Sequence, residues 1–370
     1  MQFIDLSAQQ QRIFHTIQAN IQKVLQHGKY IMGPEVQELE IRLAEYLEIK
    51  HAVACASGTD ALLLSLMAYN TGHGDGILTT PFTFIASAEV ISLLGATPIF
   101  VDIDPVTFNI DPQKIEQTIQ SNKSSNLKLK GIIPVDIFGL TADYDAINTI
   151  AQKHGLFVIE DAAQSFGAEY KGKKSCTLAD IACTSFFPAK PLGCYGDGGM
   201  CFTDDDNLAE IMRSLRIHGK GSHKYDNVRI GVNARLDTIQ AAILLSKFDI
   251  FPEEVELRNQ AARQYNNLLG SHVSIIPPHI PEGLKSVWAQ YSVLTKNEQT
   301  RSQIQEKLKN AGIPSAVYYP KPLHLQTAFA NMGYKTGAFP VSEDVSKRIL
   351  SLPMHPYLTK KNQQKVINAL

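Results

Sequence analysis

The chain has 370 residues, of which 44% are hydrophobic and 19% charged, with a formal net charge of −1. That length exceeds one ordinary core and suits a large domain with a smaller one, and the apolar fraction excludes wholesale disorder. The near-zero charge removes the electrostatic case for a nucleic-acid binder that neutralises many phosphates, and the cluster Lys171, Lys173 and Lys174 reads as a solvated turn.

In chain order, the N-terminus MQFIDLSAQQQRIF is amphipathic but lacks the basic head and apolar run of a signal peptide, and no apolar stretch approaches about 20 residues. A soluble cytoplasmic protein with no membrane partner is expected. Short apolar runs then predict strands at His51 to Cys55, Gly76 to Thr79, Thr97 to Val101, Gly131 to Val135, Leu156 to Glu160, Ile181 to Phe186 and Gly199 to Thr203. Helical patterns lie between them at Thr59 to Tyr69, Ser87 to Leu94, Tyr144 to His154 and Leu208 to Arg216. This alternation predicts an α/β fold with a wide sheet covered by helices on both faces.

From about Leu236 the pattern becomes long helix, DTIQAAILLSKFDIF and then EEVELRNQAARQYNNLL, with Pro252 expected to break or kink the run. A small α+β domain follows, with strands expected at Ala289 to Leu294 and Ser315 to Tyr319 and helices near Thr300 to Ala311 and Glu343 to Leu350. The division expected is a large domain over 1–250 and a small one over 251–370. The five cysteines, Cys55, Cys176, Cys183, Cys194 and Cys201, are odd in number and read as free thiols, and no histidine falls in a metal-ligand pattern.

The chemistry concentrates in Ser185-Phe186-Phe187-Pro188-Ala189-Lys190, which precedes the turn Gly196-Asp197-Gly198-Gly199. A lysine amine beside a glycine-rich turn can form an imine with pyridoxal phosphate and then act as a base. Asp161 ends the strand LFVIED, so its carboxylate emerges at the carboxyl edge of the sheet, where it can hold a pyridine nitrogen protonated; a helix cap is its structural alternative. Gln164 can donate to the ring hydroxyl oxygen. Cys55-Ala56-Ser57-Gly58-Thr59-Asp60 orders a strand, a turn and a helix start, a natural phosphate site, although Ser57 with Asp60 also resembles a capping arrangement.

Phe84, in Thr80-Pro81-Phe82-Thr83-Phe84, can stack on a pyridine ring or serve as a core aromatic, and Ser185 adds a hydroxyl to the phosphate or to the lysine's surroundings. In Gly231-Val232-Asn233-Ala234-Arg235-Leu236 the asparagine can cap a helix. Arg235 is a bidentate partner for a carboxylate substrate, or one half of a surface salt bridge.

Taken together, SGTDAL, PFTF, EDAAQSFGA, TSFFPAKPLG, GDGGM and GVNARLDTIQAA resemble the DegT/DnrJ/EryC1/StrS family of nucleotide-sugar aminotransferases, and the resemblance runs from GKYIMGPEV to LSLPMHPYL. It implies a pyridoxal-phosphate fold of type I, aspartate aminotransferase-like, with a large mixed seven-stranded sheet and a small C-terminal α+β domain. It also implies a homodimer with shared active sites. Lys190 matches the internal-aldimine lysine, Asp161 the pyridinium partner, Gln164 the ring-hydroxyl contact, and Gly58, Thr59 and Ser185 the phosphate positions. Phe84 matches the ring-stacking position and Asn233 the residue that reaches the phosphate from the neighbouring subunit. Pyridoxamine phosphate is the implied intermediate form of the cofactor, and no metal is expected.

Within the family, SCTLADIACTSFFPAKPLGCYGDGG and GVNARLDTIQAAIL are most similar to enzymes that use L-glutamate to aminate the 3-keto group of UDP-2-acetamido-2-deoxy-3-oxo-glucuronate, on the way to a 2,3-diamino uronic acid of O-antigen. Arg235, Tyr318 and Tyr319 would then face the sugar. Many relatives carry His-Tyr where this chain has Tyr318-Tyr319, and a tyrosine donates a hydrogen bond but carries no positive charge near neutral pH. The alternatives are an aminotransferase for a dTDP- or GDP-linked 3- or 4-keto-hexose and a regulator that holds the cofactor without turnover.

Overall fold

Three helices, α1 (Leu6–Arg12), α2 (Phe14–His27) and α3 (Pro34–Leu47), open the chain in the computed structural model, which describes all residues except 124–125, 224 and 271–272. None of the three was expected from the sequence, because exposed polar residues dilute their apolar stripes; Val36, Leu39, Leu43 and Leu47 nevertheless recur at helical spacing and are buried. The alternating part follows as β1 (His51–Cys55), α4 (Gly58–Ala68), β2 (Asp75–Thr79), α5 (Ala86–Leu93), β3 (Thr97–Phe100), α6 (Pro112–Ser121), β4 (Lys128–Ile133), α7 (Tyr144–His154) and β5 (Phe157–Asp161). A ribbon of β6 (Glu169–Tyr170) and β7 (Lys173–Lys174) precedes β8 (Ile181–Ser185), β9 (Gly199–Thr203) and α8 (Asp206–Leu215).

Seven of these strands form one sheet in the order β1-β9-β8-β5-β4-β2-β3. All neighbours pair in parallel except β9, which runs antiparallel to both β1 and β8. The strands read as continuous apolar runs because helices cover both faces, as a largely parallel sheet requires. The five cysteines are buried and unpaired.

The long helical run is two helices, α9 (Thr238–Phe248) and α10 (Phe251–Leu269). The break falls at Asp249–Ile250, and Pro252 sits in the first turn of α10, where its missing N–H costs nothing. Phe251 and Val255 of α10 pack into the core under the large sheet, whereas Ala261, Ala262, Tyr265 and Leu269 pack into a second core, so one helix serves both.

That second core lies beneath a three-stranded sheet of β10 (Ile275–Ile276), β12 (Tyr291–Thr295) and β13 (Ile349–Leu352), with β11 (Leu284–Lys285) joining the β6–β7 ribbon. Helices α11 (Glu298–Asn310), α12 (Pro340–Arg348) and α13 (Lys360–Asn368) complete the chain. Two expectations are corrected here. The segment Ser315 to Tyr319 makes only a bridge between Ala316 and Ser351, and the helix expected to reach Leu350 ends at Arg348 because Ile349 turns to extended backbone and pairs with Leu294. Asn233 does not cap α9 either; Asp237 stands there, and Asn233 bridges Ile217 in an extended stretch before the helix.

One buried ion pair ties the N-terminal helices to the sheet. The Glu40 carboxylate accepts from the Ala54 N–H at 2.9 Å and from the Arg216 guanidinium, which also donates to the Ala54 carbonyl at 2.7 Å. Arg216 is almost wholly enclosed. Glu40→Ala strands that charge and should lower stability by about 3–5 kcal/mol in urea unfolding.

Candidate active site

The site forms along the carboxyl ends of β2, β5 and β8, where helix dipoles and loop ends converge in open α/β sheets. Asp161, the last residue of β5, is buried, its Oδ2 accepting from Ser87 Oγ at 2.7 Å and its Oδ1 from the Ala163 N–H at 3.2 Å. Burial pushes its pKa up, opposed by those two donors and by Lys190. Ser87 lies on α5 and is paired in turn with Thr83 Oγ1 at 3.2 Å. Neither hydroxyl was singled out in the sequence, since small residues after a strand are common and only the approach of α5 to β5 gives these two a carboxylate.

Lys190 follows β8 in the turn closed by its own N–H to the Phe187 carbonyl. Its side chain is partly enclosed, and its amine makes no hydrogen bond or ion pair with the described residues. Burial lowers its pKa, and the Asp161 charge opposes that shift without the two groups touching. An amine that feels a buried carboxylate without bonding to it suits a pyridine ring bearing an aldehyde opposite its nitrogen.

Gln164 lies one turn beyond Asp161 and is buried. Its Oε1 accepts from the Phe138 N–H at 2.8 Å, which fixes the amide orientation, and its Nε2 donates to the Tyr319 hydroxyl at 3.3 Å with one hydrogen to spare. Tyr319 is thereby brought into the site, and burial with the nearby Asp161 charge pushes its phenol pKa up. Tyr318, half-buried, packs edge-on against Phe3.

At the other end, Ser57 caps α4 as the capping alternative required: its Oγ accepts from the Asp60 N–H at 3.0 Å and donates to the Asp60 carboxylate at 3.0 Å. The Gly58 and Thr59 N–H groups have no acceptor among the described residues and open the helix, an anion-binding arrangement. A Cβ on Gly58 would stand 2.7 Å from the Ser185 Cβ, so only glycine lets the helix end and Ser185 share one cradle. Gly199 of the glycine-rich turn is equally constrained, since its Cβ would lie 2.3 Å from the Ser57 carbonyl oxygen. These features fit pyridoxal phosphate: an amine unbonded among the described residues, a buried carboxylate whose charge it feels, an amide with an unused hydrogen and an open helix end.

Phe84 is 57% exposed and is not the core aromatic; Phe82, two residues earlier, is buried against Phe108, Phe138 and Tyr319. Asn233 and Arg235 are joined to each other, Arg235 Nε donating to Asn233 Oδ1 at 2.9 Å, but no contact brings either to Lys190, Asp161 or Gln164. The Arg235 Nη groups have no partner among the described residues, so the surface salt bridge allowed by the sequence is not made. Nor does any group of three or more His, Cys, Asp or Glu side chains among the described residues form a metal site.

Fold and site together define a pyridoxal-phosphate enzyme of fold type I, of the aminotransferase class. The chain belongs to the DegT/DnrJ/EryC1/StrS aminotransferase family, whose model matches residues 11–370. It is 52% identical over 358 residues to a UDP-2-acetamido-2-deoxy-3-oxo-D-glucuronate aminotransferase of Pseudomonas aeruginosa, covering 97% of this chain and 96% of that one. Among solved structures it is similar to a DegT DnrJ EryC1 StrS aminotransferase from Brucella abortus, with a TM-score of 0.96, 50% identity and coverage of 100% and 98%. It is similar also to ntda from Bacillus subtilis, solved with bound cofactor PMP, with a TM-score of 0.89, 31% identity and coverage of 99% and 82%.

Gly199→Ala should force the Ser57–Gly58 turn away from β9, costing about 1–3 kcal/mol in urea unfolding and weakening pyridoxal phosphate binding in a spectroscopic titration.

Proposed function

We propose that the protein transfers the amino group of L-glutamate to the 3-keto group of UDP-linked 2-acetamido-2-deoxy-3-oxo-glucuronate, giving a 2,3-diamino uronic acid nucleotide sugar for a cell-surface polysaccharide such as O-antigen. The observation that carries the chemistry is the Lys190 amine, unbonded among the described residues yet within the electrostatic reach of the buried Asp161 carboxylate. Support for the substrate comes from the Pseudomonas aeruginosa relative.

When bound, pyridoxal phosphate supplies an electron sink for the substrate carbon and a carrier for the amino group. Lys190 would hold the cofactor through its amine and would move a proton to and from the substrate carbon. Burial lowers its pKa, which enlarges the free-base fraction available to take the glutamate α-proton. Asp161, held by Ser87 and the Ala163 N–H, keeps the pyridine nitrogen protonated. Gln164 would orient the ring through its hydroxyl, Gly58, Thr59 and Ser185 would hold the phosphate, and Phe84 would stack on the ring. Tyr319, with Tyr318 beside it, lines the sugar side.

Asn233 and Arg235 act from a second copy of the chain in a homodimer, which accounts for a paired amide and guanidinium exposed away from their own lysine. In that setting Asn233 completes the phosphate cradle and Arg235 meets the sugar carboxylate.

Lys190→Ala should lose at least about 10²–10⁴-fold in the formation of 2-oxoglutarate from glutamate, and a variant with normal turnover would remove the assignment. The same assay on wild-type protein separates an enzyme from a cofactor-binding regulator, which would release none. Arg235→Leu should lower kcat/KM for the keto-uronate by about 30-fold or more, the effect of about 2 kcal/mol for an unpaired charge, while sparing a neutral 3-keto-hexose. Equal losses on both sugars would place the guanidinium on glutamate and favour a dTDP- or GDP-linked keto-hexose as substrate.

A further inference from the structure

Next to Gln164 lies a linear chain of four fully buried side chains, Asp136, Ser165, Ser175 and Glu160. Ser165 Oγ stands 2.7 Å from Asp136 Oδ2 and 2.6 Å from Ser175 Oγ, and Ser175 Oγ stands 2.9 Å from Glu160 Oε1. Those are three oxygen–oxygen links, and the two serines supply only two hydrogens. The other donors that reach the carboxyls are committed elsewhere on them: the Ala142 N–H and Tyr144 hydroxyl to Asp136 Oδ1, the Cys176 N–H to Glu160 Oε1 and the Leu178 N–H to Glu160 Oε2. With both carboxyls ionised, one link would be two oxygens facing each other with no hydrogen between them. A third hydrogen must therefore sit on a carboxyl.

We infer that Asp136 and Glu160 share one trapped proton, carried on Asp136 Oδ2, and that the pair acts as a positioning device for Gln164. In this arrangement every hydrogen points one way, from Asp136 through Ser165 and Ser175 to Glu160. Glu160 accepts N–H donors on both of its oxygens, whereas Asp136 takes its Ala142 and Tyr144 donors on Oδ1, which leaves Oδ2, the oxygen that meets Ser165, to carry the proton. Burial and the Glu160 charge both push Asp136 upward, in agreement with the hydrogen count.

The consequence for the site is geometric. Ser165 adjoins Gln164, and Asp136 starts the turn whose Phe138 N–H holds the Gln164 amide. The Asp136 N–H also donates to the Asp161 carbonyl at 3.1 Å. Two carboxylates in this space would repel and push the turn at Ile137–Gly139 away from β5, carrying the cradle of Gln164 with it. The role of Gln164 rests on the reading of function above, whereas the trapped proton does not.

The test is infrared spectroscopy of the full-length protein near neutral pH. A carbonyl band of a protonated carboxylic acid, shifted by deuterium and by ¹³C-aspartate labelling, should be present and should be lost in Asp136→Asn. An Asp136→Asn spectrum that superimposes on the wild type, or loss of the band only in Glu160→Gln, would overturn the assignment. Should Asp136→Asn fail to fold, Ser165→Ala removes the acceptor while keeping both carboxyls and should displace the band; an undisplaced band counts against the relay. Asp136→Asn, which donates and accepts as the neutral acid does, should keep a higher urea midpoint than Glu160→Gln, which presents a donor to a backbone N–H. Because the folded pKa of Asp136 is raised, the wild type loses stability relative to Asp136→Asn as pH climbs above about 4, with Tyr144 and the Cys176 thiol the other ionisable groups facing the pair. These readouts need no turnover, so a missing band and a missing transaminase activity are separate failures.

Discussion

The structure depends on keeping the carboxylate of Asp161 in place where burial disfavours its charge. An uncompensated carboxylate there would take up a proton, so the surrounding fold supplies donors: the Ser87 hydroxyl from α5 and the Ala163 N–H from the turn that follows β5. The strand order serves this end. Placing β5 between β4 and β8 brings the Lys190 turn to one side of Asp161 and the Pro134–Gly139 loop to the other. The opposing effects on Lys190, burial downward and Asp161 upward, then give an amine that is neither an ordinary surface lysine nor one half of a fixed ion pair.

Around that carboxylate, two tight backbone approaches set the size of the site. Gly58 lies against Ser185, and Gly199 against the Ser57–Gly58 peptide, so β8, β9 and the start of α4 meet with no room for a side chain. The glycine-rich run after Lys190 thus works at a distance in sequence: it lets β9 pack beneath the turn that opens α4. The Tyr319 hydroxyl reaches Gln164 from the C-terminal third of the chain, coupling the smaller sheet's connections to the turn after β5.

Much of the fold was legible because the seven strands of the main sheet are short apolar runs separated by turn residues, and burial on both faces leaves that signature undiluted. The N-terminal helices were not, since their polar residues face outward and one buried stripe per helix is a weak signal. β13 was missed for a related reason: Ile349–Leu352 continues a helical pattern without a breaker, and its strand form comes from pairing with β12. At the candidate site, the sequence pointed to Lys190, Asp161 and Gln164 through their company in the chain. Thr83 and Ser87 were not, because a serine or threonine after a strand has many uses, and only the packing of α5 against β5 selects this one.

By itself the sequence determined the sheet and the family, because these follow from local periodicity and from motifs whose residue types have few other joint uses. Tertiary structure alone decided which groups meet: Ser87 with Asp161, Tyr319 with Gln164, and Asp136 with Glu160 through two serines. Those pairings join residues from 10 to 155 positions apart, and hydrogen-bond geometry is set by how strands and helices pack in space, which no local pattern encodes.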